Sequence, residues 1–223
     1  MRRMLVHGAI VPPRPVLDAV AAVVRSVEEP VQAVESEPEP QPKGLLGRVG
    51  RHRSAESAPA APAAAATPML EHVPVDLMLM PITGFGNLTT NDAHRLVEAV
   101  KEAAAGWAAP TVRFAGGTAL DFPGDWSVWA KLEGDVEELM AVGRGVPQSV
   151  ERLGFFVDRR QFRPMLSVAT VTPATTGPFL EQLVGALDAF RGDEWTAEIS
   201  LTKETFVDGR PVMSELERIP LGS

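Results

Sequence analysis

The sequence predicts an α+β protein in which helices pack on mostly antiparallel β-sheet. Two observations favour this class: strand and helix patterns alternate early in the chain, and hairpin-like strand pairs follow later. No internal repeat with a period of about 20–50 residues recurs, which argues against a solenoid or a propeller. The chain has only two loosely similar halves, at roughly residues 1–110 and 111–223.

Composition limits the classes of protein to which the chain can belong. Its 223 residues carry a formal net charge of -8, which argues against electrostatic coating of nucleic acid. The chain has no cysteine, which excludes disulfides, thiolate metal sites and a cysteine nucleophile. Its four histidines lack paired spacing, so we expect neither a metal site nor a cofactor. No signal peptide or transmembrane run is recognisable, and we expect a cytoplasmic protein.

The N-terminal elements are predicted to be a strand and a helix. Residues 4–11 are apolar and rich in valine and isoleucine, as in a buried strand. Residues 16–27 have a helical pattern, and Pro15 suits the first turn because proline has no backbone N–H to leave unpaired there. His7 lies on the first strand, where it is either an ordinary half-buried histidine or a residue whose side chain faces a groove.

Residues 28–68 form an insertion of different composition. Tracts rich in proline, alanine and glutamate cannot build a core, so they predict a flexible linker. A short island at residues 43–53 combines apolar residues with cations. We interpret it as a contact surface for a protein partner or for peripheral membrane binding, and a solvated charge run is the alternative. The residues that would make this contact are Lys43, Leu45, Leu46, Arg48, Val49, Arg51 and Arg53.

The remaining strands are predicted from short apolar runs rich in β-branched and aromatic residues. They lie at residues 73–83, 111–120, 126–132, 163–172, 196–207 and 212–219. A turn-rich connection, Asp121–Asp125, joins the second run to the third. The last two runs predict a hairpin around Asp208-Gly209, because this dipeptide favours tight turns between antiparallel strands.

The remaining helices are predicted from capping residues and from apolar residues at helical spacing. The cluster Thr89–Asp92 can cap a helix that ends near Gly106. Asp135 can cap a helix that ends near Val142. Two further helices, at residues 147–153 and 178–190, place a proline early, where the helix tolerates it.

The segment Gly154–Ala169 has the most informative pattern in the chain. It includes Phe155-Phe156-Val157 and, further on, Arg163-Pro164-Met165-Leu166-Ser167-Val168-Ala169. This segment resembles the second signature of the 2H phosphoesterases, the superfamily of bacterial 2'-5' RNA ligases and RNA 2',3'-cyclic phosphodiesterases. In that signature a strand carries the tripeptide His-x-Thr/Ser. Here Met165 stands in place of the histidine, and Ser167 keeps the hydroxyl.

The first signature of the superfamily aligns with Asp76–Gly84. In this alignment Asp76 replaces the histidine and Met78 replaces the hydroxyl. Because residues i and i+2 of a strand face the same side, the histidine and the hydroxyl of each superfamily motif enter one groove together. The resemblance implies a two-lobed α+β fold with two similar antiparallel sheets around a central groove and helices outside. It covers residues 1–27 and 69–223, which would form a single bilobal domain.

These departures predict the loss of the superfamily's usual reaction. General acid–base catalysis by a positioned imidazole contributes roughly 10²–10⁴ in rate, and neither aligned position holds one. The reference pKa of aspartate, about 3.9, makes Asp76 a weak base, and its charge repels phosphate. The resemblance therefore implies a non-catalytic 2'-5' RNA ligase-like protein. This pseudoenzyme would bind a partner or ligand through its degenerate groove, its basic insertion, or both.

Two other functions stay open. A divergent phosphoesterase would act on 2',3'-cyclic or 2'-5' phosphodiesters through Asp76, Ser167 and His7, and an RNA- or nucleotide-binding protein would hold its ligand without turnover. The candidate ligand-binding residues are His7, Arg163, Ser167 and Lys203. An open groove with cations and hydroxyls would favour phosphate binding. A groove filled by Met78 and Met165 beside an exposed apolar patch would favour a protein partner.

Overall fold

Two antiparallel sheets form the frame of the chain in a computed structural model, which describes residues 3–32, 67–158, 160–207 and 210–222. The strands are β1 (Arg3–Ile10), β2 (Leu70–His72), β3 (Met80–Thr89), β4 (Thr111–Ala119), β5 (Ser127–Gly134), β6 (Met165–Val171), β7 (Trp195–Thr196), β8 (Ile199–Val207) and β9 (Arg210–Ile219). The helices are α1 (Arg14–Gln32), α2 (Thr90–Ala104), α3 (Val136–Ser149) and α4 (Gly177–Ala189).

The strand order divides the molecule into two lobes. One sheet has four strands in the order β3-β1-β8-β9, and the other has five in the order β2-β6-β5-β4-β7. Helix α4 packs against β4 and α1, whereas α2 packs against α3 and β3. The predicted fold class, α+β with two antiparallel sheets and a two-lobed arrangement, is confirmed.

Strand alternation decides which side chains enter the core and which face outward. Val6 of β1 is fully buried, and its neighbour His7 lies on the opposite face. In the same way Leu166 of β6 is fully buried, whereas Met165 and Ser167 lie on the other face and are half-buried. The period of two thus separates packing residues from candidate site residues on both strands.

The main difference from the predicted elements lies before β3. The sequence predicts a strand over residues 73–83, but the structure has a 3₁₀ turn at Val75–Leu77 and begins β3 at Met80. Pro74 cannot donate to a sheet hydrogen bond, and it directly precedes the turn. The turn also brings Met78 into the core. The strand therefore begins later than the apolar pattern suggests.

Helix boundaries differ in two other places. Helix α1 continues to Gln32, beyond the predicted end at Val27. Helix α3 is continuous to Ser149, where two separate helical pieces are predicted, because its buried face extends past Val142 to Val146. Pro147 is accommodated in the last turn of α3.

The basic and apolar island at residues 43–53 lies outside the described residues, and its contact with a partner stays a prediction. Among the residues that the structure describes, no helix has both the length and the apolar character that a membrane crossing requires. Over the same ranges, no cluster of three or more histidine, aspartate or glutamate side chains is placed to bind a metal ion.

Candidate functional site

A groove lies beside the segment Phe155–Arg163, which connects α3 to β6. It consists of two adjoining cavities of about 310 and 480 Å³ whose walls share Pro81, Asp158 and Arg160. The first, here called the histidine cavity, is lined by Leu5, His7, Gly8, Ala9, Leu79, Pro81, Thr83, Gly84, Gly86, Phe156, Asp158, Arg160, Glu204 and Met213. The second, here called the tryptophan cavity, is lined by Pro81, Trp129, Asp158, Arg160, Gln161, Arg163 and Met165.

His7 and Glu204 form the titratable pair of the histidine cavity. His7 Nε2 lies 3.3 Å from Glu204 Oε2, with the two side chains 32% and 20% exposed. The antiparallel pairing of β1 with β8 sets His7 opposite Thr202, so Glu204 is its diagonal neighbour on the same face. When Nε2 donates to the carboxylate, Nδ1 of a neutral ring is left as an acceptor.

The hydroxyl of Thr83 fixes the segment that walls both cavities. Thr83 Oγ1 donates to the backbone carbonyl of Asp158 at 2.8 Å. The backbone N–H of Asp158 donates to the carbonyl of Gly84 at 2.9 Å. The segment is therefore tied to β3 at its middle, and Thr83 is committed to a structural hydrogen bond.

Arg160 is the cation that both cavities share. Its Nε donates to Asp158 Oδ2 at 2.6 Å, and 64% of its side chain is exposed. An exposed ion pair of this kind is typically worth about 0–1 kcal/mol. The guanidinium can therefore exchange its partner for another anion at small cost.

A carboxylate in the connection between β4 and β5 orients Trp129 in the tryptophan cavity. Trp129 Nε1 donates to Asp125 Oδ2 at 2.7 Å, and the backbone N–H of Ser127 donates to Oδ1 at 2.9 Å. Burial alone would raise the pKa of Asp125. Hydrogen bonds from Ser127 and Trp129, with the charge of Arg163, outweigh burial and hold this pKa below its ordinary value.

Arg163, in the wall of the tryptophan cavity, packs over an aromatic ring. Its guanidinium carbon lies 3.7 Å from the centroid of the Phe122 ring. A cation held over an aromatic face at this distance is stabilised by the ring quadrupole. The contact with Phe122 therefore favours one orientation of the Arg163 guanidinium.

Comparison with known proteins finds no relative by sequence but several similar structures. A scan against protein-family models and a search of the curated proteins both find no match. Solved structures do match. The crystal structure of E. coli LigT complexed with 3'-AMP aligns with this protein over 100% of each chain, at 14% identity and a TM-score of 0.58. A Thermus thermophilus protein matches over 98% of each chain at 16% identity, with a TM-score of 0.57. A phosphoesterase crystal structure matches over 99% of each chain at 13% identity, with a TM-score of 0.55.

The fold is that of LigT. Identities this low bear on the fold alone, and at that level the sequence-based resemblance to the 2H phosphoesterases is confirmed. In the LigT fold of this chain, the groove runs between the outward faces of the two sheets, with Pro81 on one side and Met165 on the other.

Met165 and Ser167 lie on the face of β6 that the sequence predicts, but they are placed differently. Met165 lines the tryptophan cavity. Ser167 lies opposite Trp129 in the register and lines neither cavity. The hydroxyl that the resemblance singles out is therefore next to the groove rather than in its wall.

Three other candidates do not reach the groove of the LigT fold. Asp76 lies in the 3₁₀ turn, where its side chain is 83% exposed and paired with Arg14. Met78 is buried in the core. Lys203 pairs with Val6 and lies on the opposite face from Glu204, outside both cavities. The late start of β3 accounts for the first two positions, and strand alternation accounts for Lys203.

The residues that take their place were not predicted from the sequence. On the β3 side, Leu79, Pro81 and Thr83 line the histidine cavity, and their spacing of two was a signal that could have located them. Glu204 and Trp129 had no local signal, because their roles depend on strands that are distant in the chain.

Proposed function

We propose that the groove binds a phosphorylated ligand without the two-histidine turnover of the 2H phosphoesterases. One observation carries the proposal: the groove is open and has cations in its wall, while Leu79 just before β3, Pro81 of β3 and Met165 of β6 line it. None of these three side chains can transfer a proton. The lining of the groove therefore supports binding of an anionic ligand, and it does not support acid–base catalysis by a pair of histidines.

The cations are suited to a phosphate group. Arg160 and Arg163 offer planar forks of N–H donors, which match phosphate oxygens better than a point charge does. His7 adds a third group that donates to an anion when it is protonated. Asp158 and Glu204 already compensate part of this charge, so an incoming phosphate has to compete with them.

Known complexes of LigT agree with this chemistry. E. coli LigT has been crystallised with phosphate, 3'-AMP, ATP and NADP+. These ligands all carry phosphate, and they occur on a fold that this chain shares. Phosphate-bearing compounds are therefore the first ligands to test here.

The test is calorimetric titration of the full chain with inorganic phosphate and 3'-AMP, together with a hydrolysis assay on 2',3'-cyclic AMP. We expect binding without turnover, and we expect Arg160→Ala to weaken it by about tenfold, as for a lost charge-assisted hydrogen bond. Arg113→Ala is the matched control, because it removes an exposed cation that lines neither cavity. Absence of binding, or an equal effect of both variants, contradicts the proposal.

A phosphoesterase with a single acid–base pair is the second candidate, and the contact between His7 and Glu204 favours it. A carboxylate that orients an imidazole is the usual arrangement of a general base. In that case the wild-type chain would open 2',3'-cyclic AMP at a measurable rate. Loss of this rate in His7→Ala, with retained binding of 3'-AMP, would establish it in place of the first proposal.

A further inference from the structure

A third cavity, here called the helix cavity, lies outside the groove, between helix α3 and the segment Phe155–Arg163. Its volume of about 670 Å³ is within the range of small-molecule sites. It shares only Asp158, Arg160 and Gln161 with the walls of the groove. The rest of its lining comes from residues to which the phosphate-binding function gives no role.

One side of the helix cavity is a face of α3 continued into the 3₁₀ turn that follows it. The residues that line the cavity from this side are Met140, Arg144, Pro147, Gln148 and Glu151. Their separations of three, four and seven positions place them on one helical face. Met140 is half-buried against the core, whereas Arg144 and Glu151 are exposed. The face therefore combines an apolar floor with charged groups at its rim.

Arg144 and Glu151 place opposite charges about two helical turns apart. Seven residues of helix rise roughly 10 Å along the axis. Within the described part of the chain, neither side chain takes part in an ion pair or a hydrogen bond. The last turn of α3 also has no basic residue, so no side chain there offsets the partial negative charge of the helix end. A ligand with a carboxylate near Arg144 and an ammonium group near Glu151 completes both interactions.

Two glutamines line the helix cavity from its two walls. Gln148 belongs to α3 and Gln161 to the segment, and both are exposed. Neither side-chain amide has a hydrogen-bond partner among the residues that the structure describes. A primary amide offers both N–H donors and a carbonyl acceptor, which are the groups that a peptide bond can pair with. The cavity thus offers partners for a short stretch of peptide backbone.

We propose that the helix cavity binds a short peptide with free ends. Its carboxylate pairs with Arg144, its ammonium group pairs with Glu151, and an apolar side chain packs on Met140. An extended chain of three residues spans roughly 10 Å, which matches the separation of the two charges, whereas a single amino acid is too short. The inference goes beyond phosphate binding in the groove and does not depend on it.

The test is calorimetric titration of the full chain with glycyl-leucyl-glycine and with the same tripeptide after N-acetylation or C-amidation. We expect the free tripeptide to bind, and each blocked form to bind about two- to fivefold more weakly, as when one exposed ion pair is lost. Glu151→Gln should weaken binding of the free tripeptide and leave that of the acetylated form unchanged. Arg144→Gln should weaken binding of the free tripeptide and leave that of the amidated form unchanged.

Arg152→Gln and Glu138→Gln are the matched controls, because both residues are exposed and line none of the three cavities. The inference is overturned if the free tripeptide does not bind, or if the blocked forms bind as tightly as the free one. Equal weakening by the control variants also overturns it. A parallel titration with inorganic phosphate reports on the groove, so failure of the peptide to bind is distinguishable from failure of the proposed function.

Discussion

Different kinds of contact position the side chains that line the two cavities of the groove. In the histidine cavity, His7 and Glu204 come from neighbouring strands and meet at 3.3 Å while both remain partly exposed. In the tryptophan cavity, Asp125 holds Trp129 from a loop only four residues away. The first site depends on the register of β1 and β8, whereas the second depends on one carboxylate. Variants can therefore disturb the cavities together or one at a time.

The largest effect is expected from a variant that displaces the wall common to both cavities. A Cβ at Gly143 of α3 would lie 2.2 Å from Cδ1 of the buried Phe162, which anchors the segment Phe155–Arg163. We expect Gly143→Val to lower the free energy of unfolding by about 1–3 kcal/mol, as overpacking does, and to weaken ligand binding in both cavities. Chemical denaturation and calorimetry measure the two effects.

Gly185 of α4 provides the control for this variant. A Cβ there meets no atom within 4 Å, so Gly185→Ala should raise the free energy of unfolding by about 0.4–1 kcal/mol through reduced flexibility of the unfolded chain. If Gly143→Val is as stable as the wild type, Phe162 does not anchor the segment as described.

The fold was predictable because local patterns agreed with the long-range arrangement. Thr89 caps α2 as its sequence predicts, accepting a hydrogen bond from the backbone N–H of Asp92 at 3.2 Å. Thr176 caps α4 in the same way, with the early Pro178 that the sequence indicated. Caps and strand periods depend on residues a few positions apart, which is why they can be read directly from the chain.

The site was only partly predictable because its contacts join distant residues. His7 could be placed on the first strand from the sequence, but its partner Glu204 lies 197 positions away and is set by strand register. The alignment of the first signature placed Asp76 on a strand, since the apolar run gives no indication of the turn that follows Pro74. Because the histidines that best identify the superfamily motifs are missing, the resemblance alone does not fix the register of the alignment.

A smaller effect, confined to the tryptophan cavity, is expected from Asp125→Asn. The substitution keeps the shape of the side chain but removes its negative charge. This charge strengthens the hydrogen bond that Trp129 donates to Asp125, and it attracts Arg163. We expect a loss of about 1 kcal/mol in the free energy of unfolding and weaker binding of 3'-AMP. Asp121→Asn, an exposed carboxylate in the same loop, should change neither quantity.

The same carboxylate gives this cavity a defined response to acid. The native pKa of Asp125 is below that of the unfolded chain, about 3.9, so its contribution to stability is complete above that pH. The contribution is lost as the pH falls through the lowered native pKa. Tryptophan fluorescence should therefore change at the acid end in the wild type, and this part of the change should be missing in Asp125→Asn. Identical acid titrations of the two proteins would contradict this account.

The smallest effect is expected in the histidine cavity from Glu204→Gln. Because both partners are partly exposed, weakening of the contact between His7 and Glu204 should lower the free energy of unfolding by less than about 1 kcal/mol. The groove also loses a negative charge that competes for its cations, so phosphate should bind more tightly, by about two- to fivefold. Glu198→Gln is the control, since Glu198 is partly exposed, pairs with Arg218 and lines neither cavity.

The sign of this last effect decides between the two candidate functions. If Glu204 serves only to balance charge in a binding groove, its removal strengthens phosphate binding and no reaction is lost. If Glu204 orients His7 as a general base, the same substitution removes measurable opening of 2',3'-cyclic AMP, because the imidazole loses the carboxylate that holds its Nε2–H. Calorimetry and the hydrolysis assay on Glu204→Gln thus distinguish a cavity that only binds phosphate from one that also catalyses hydrolysis.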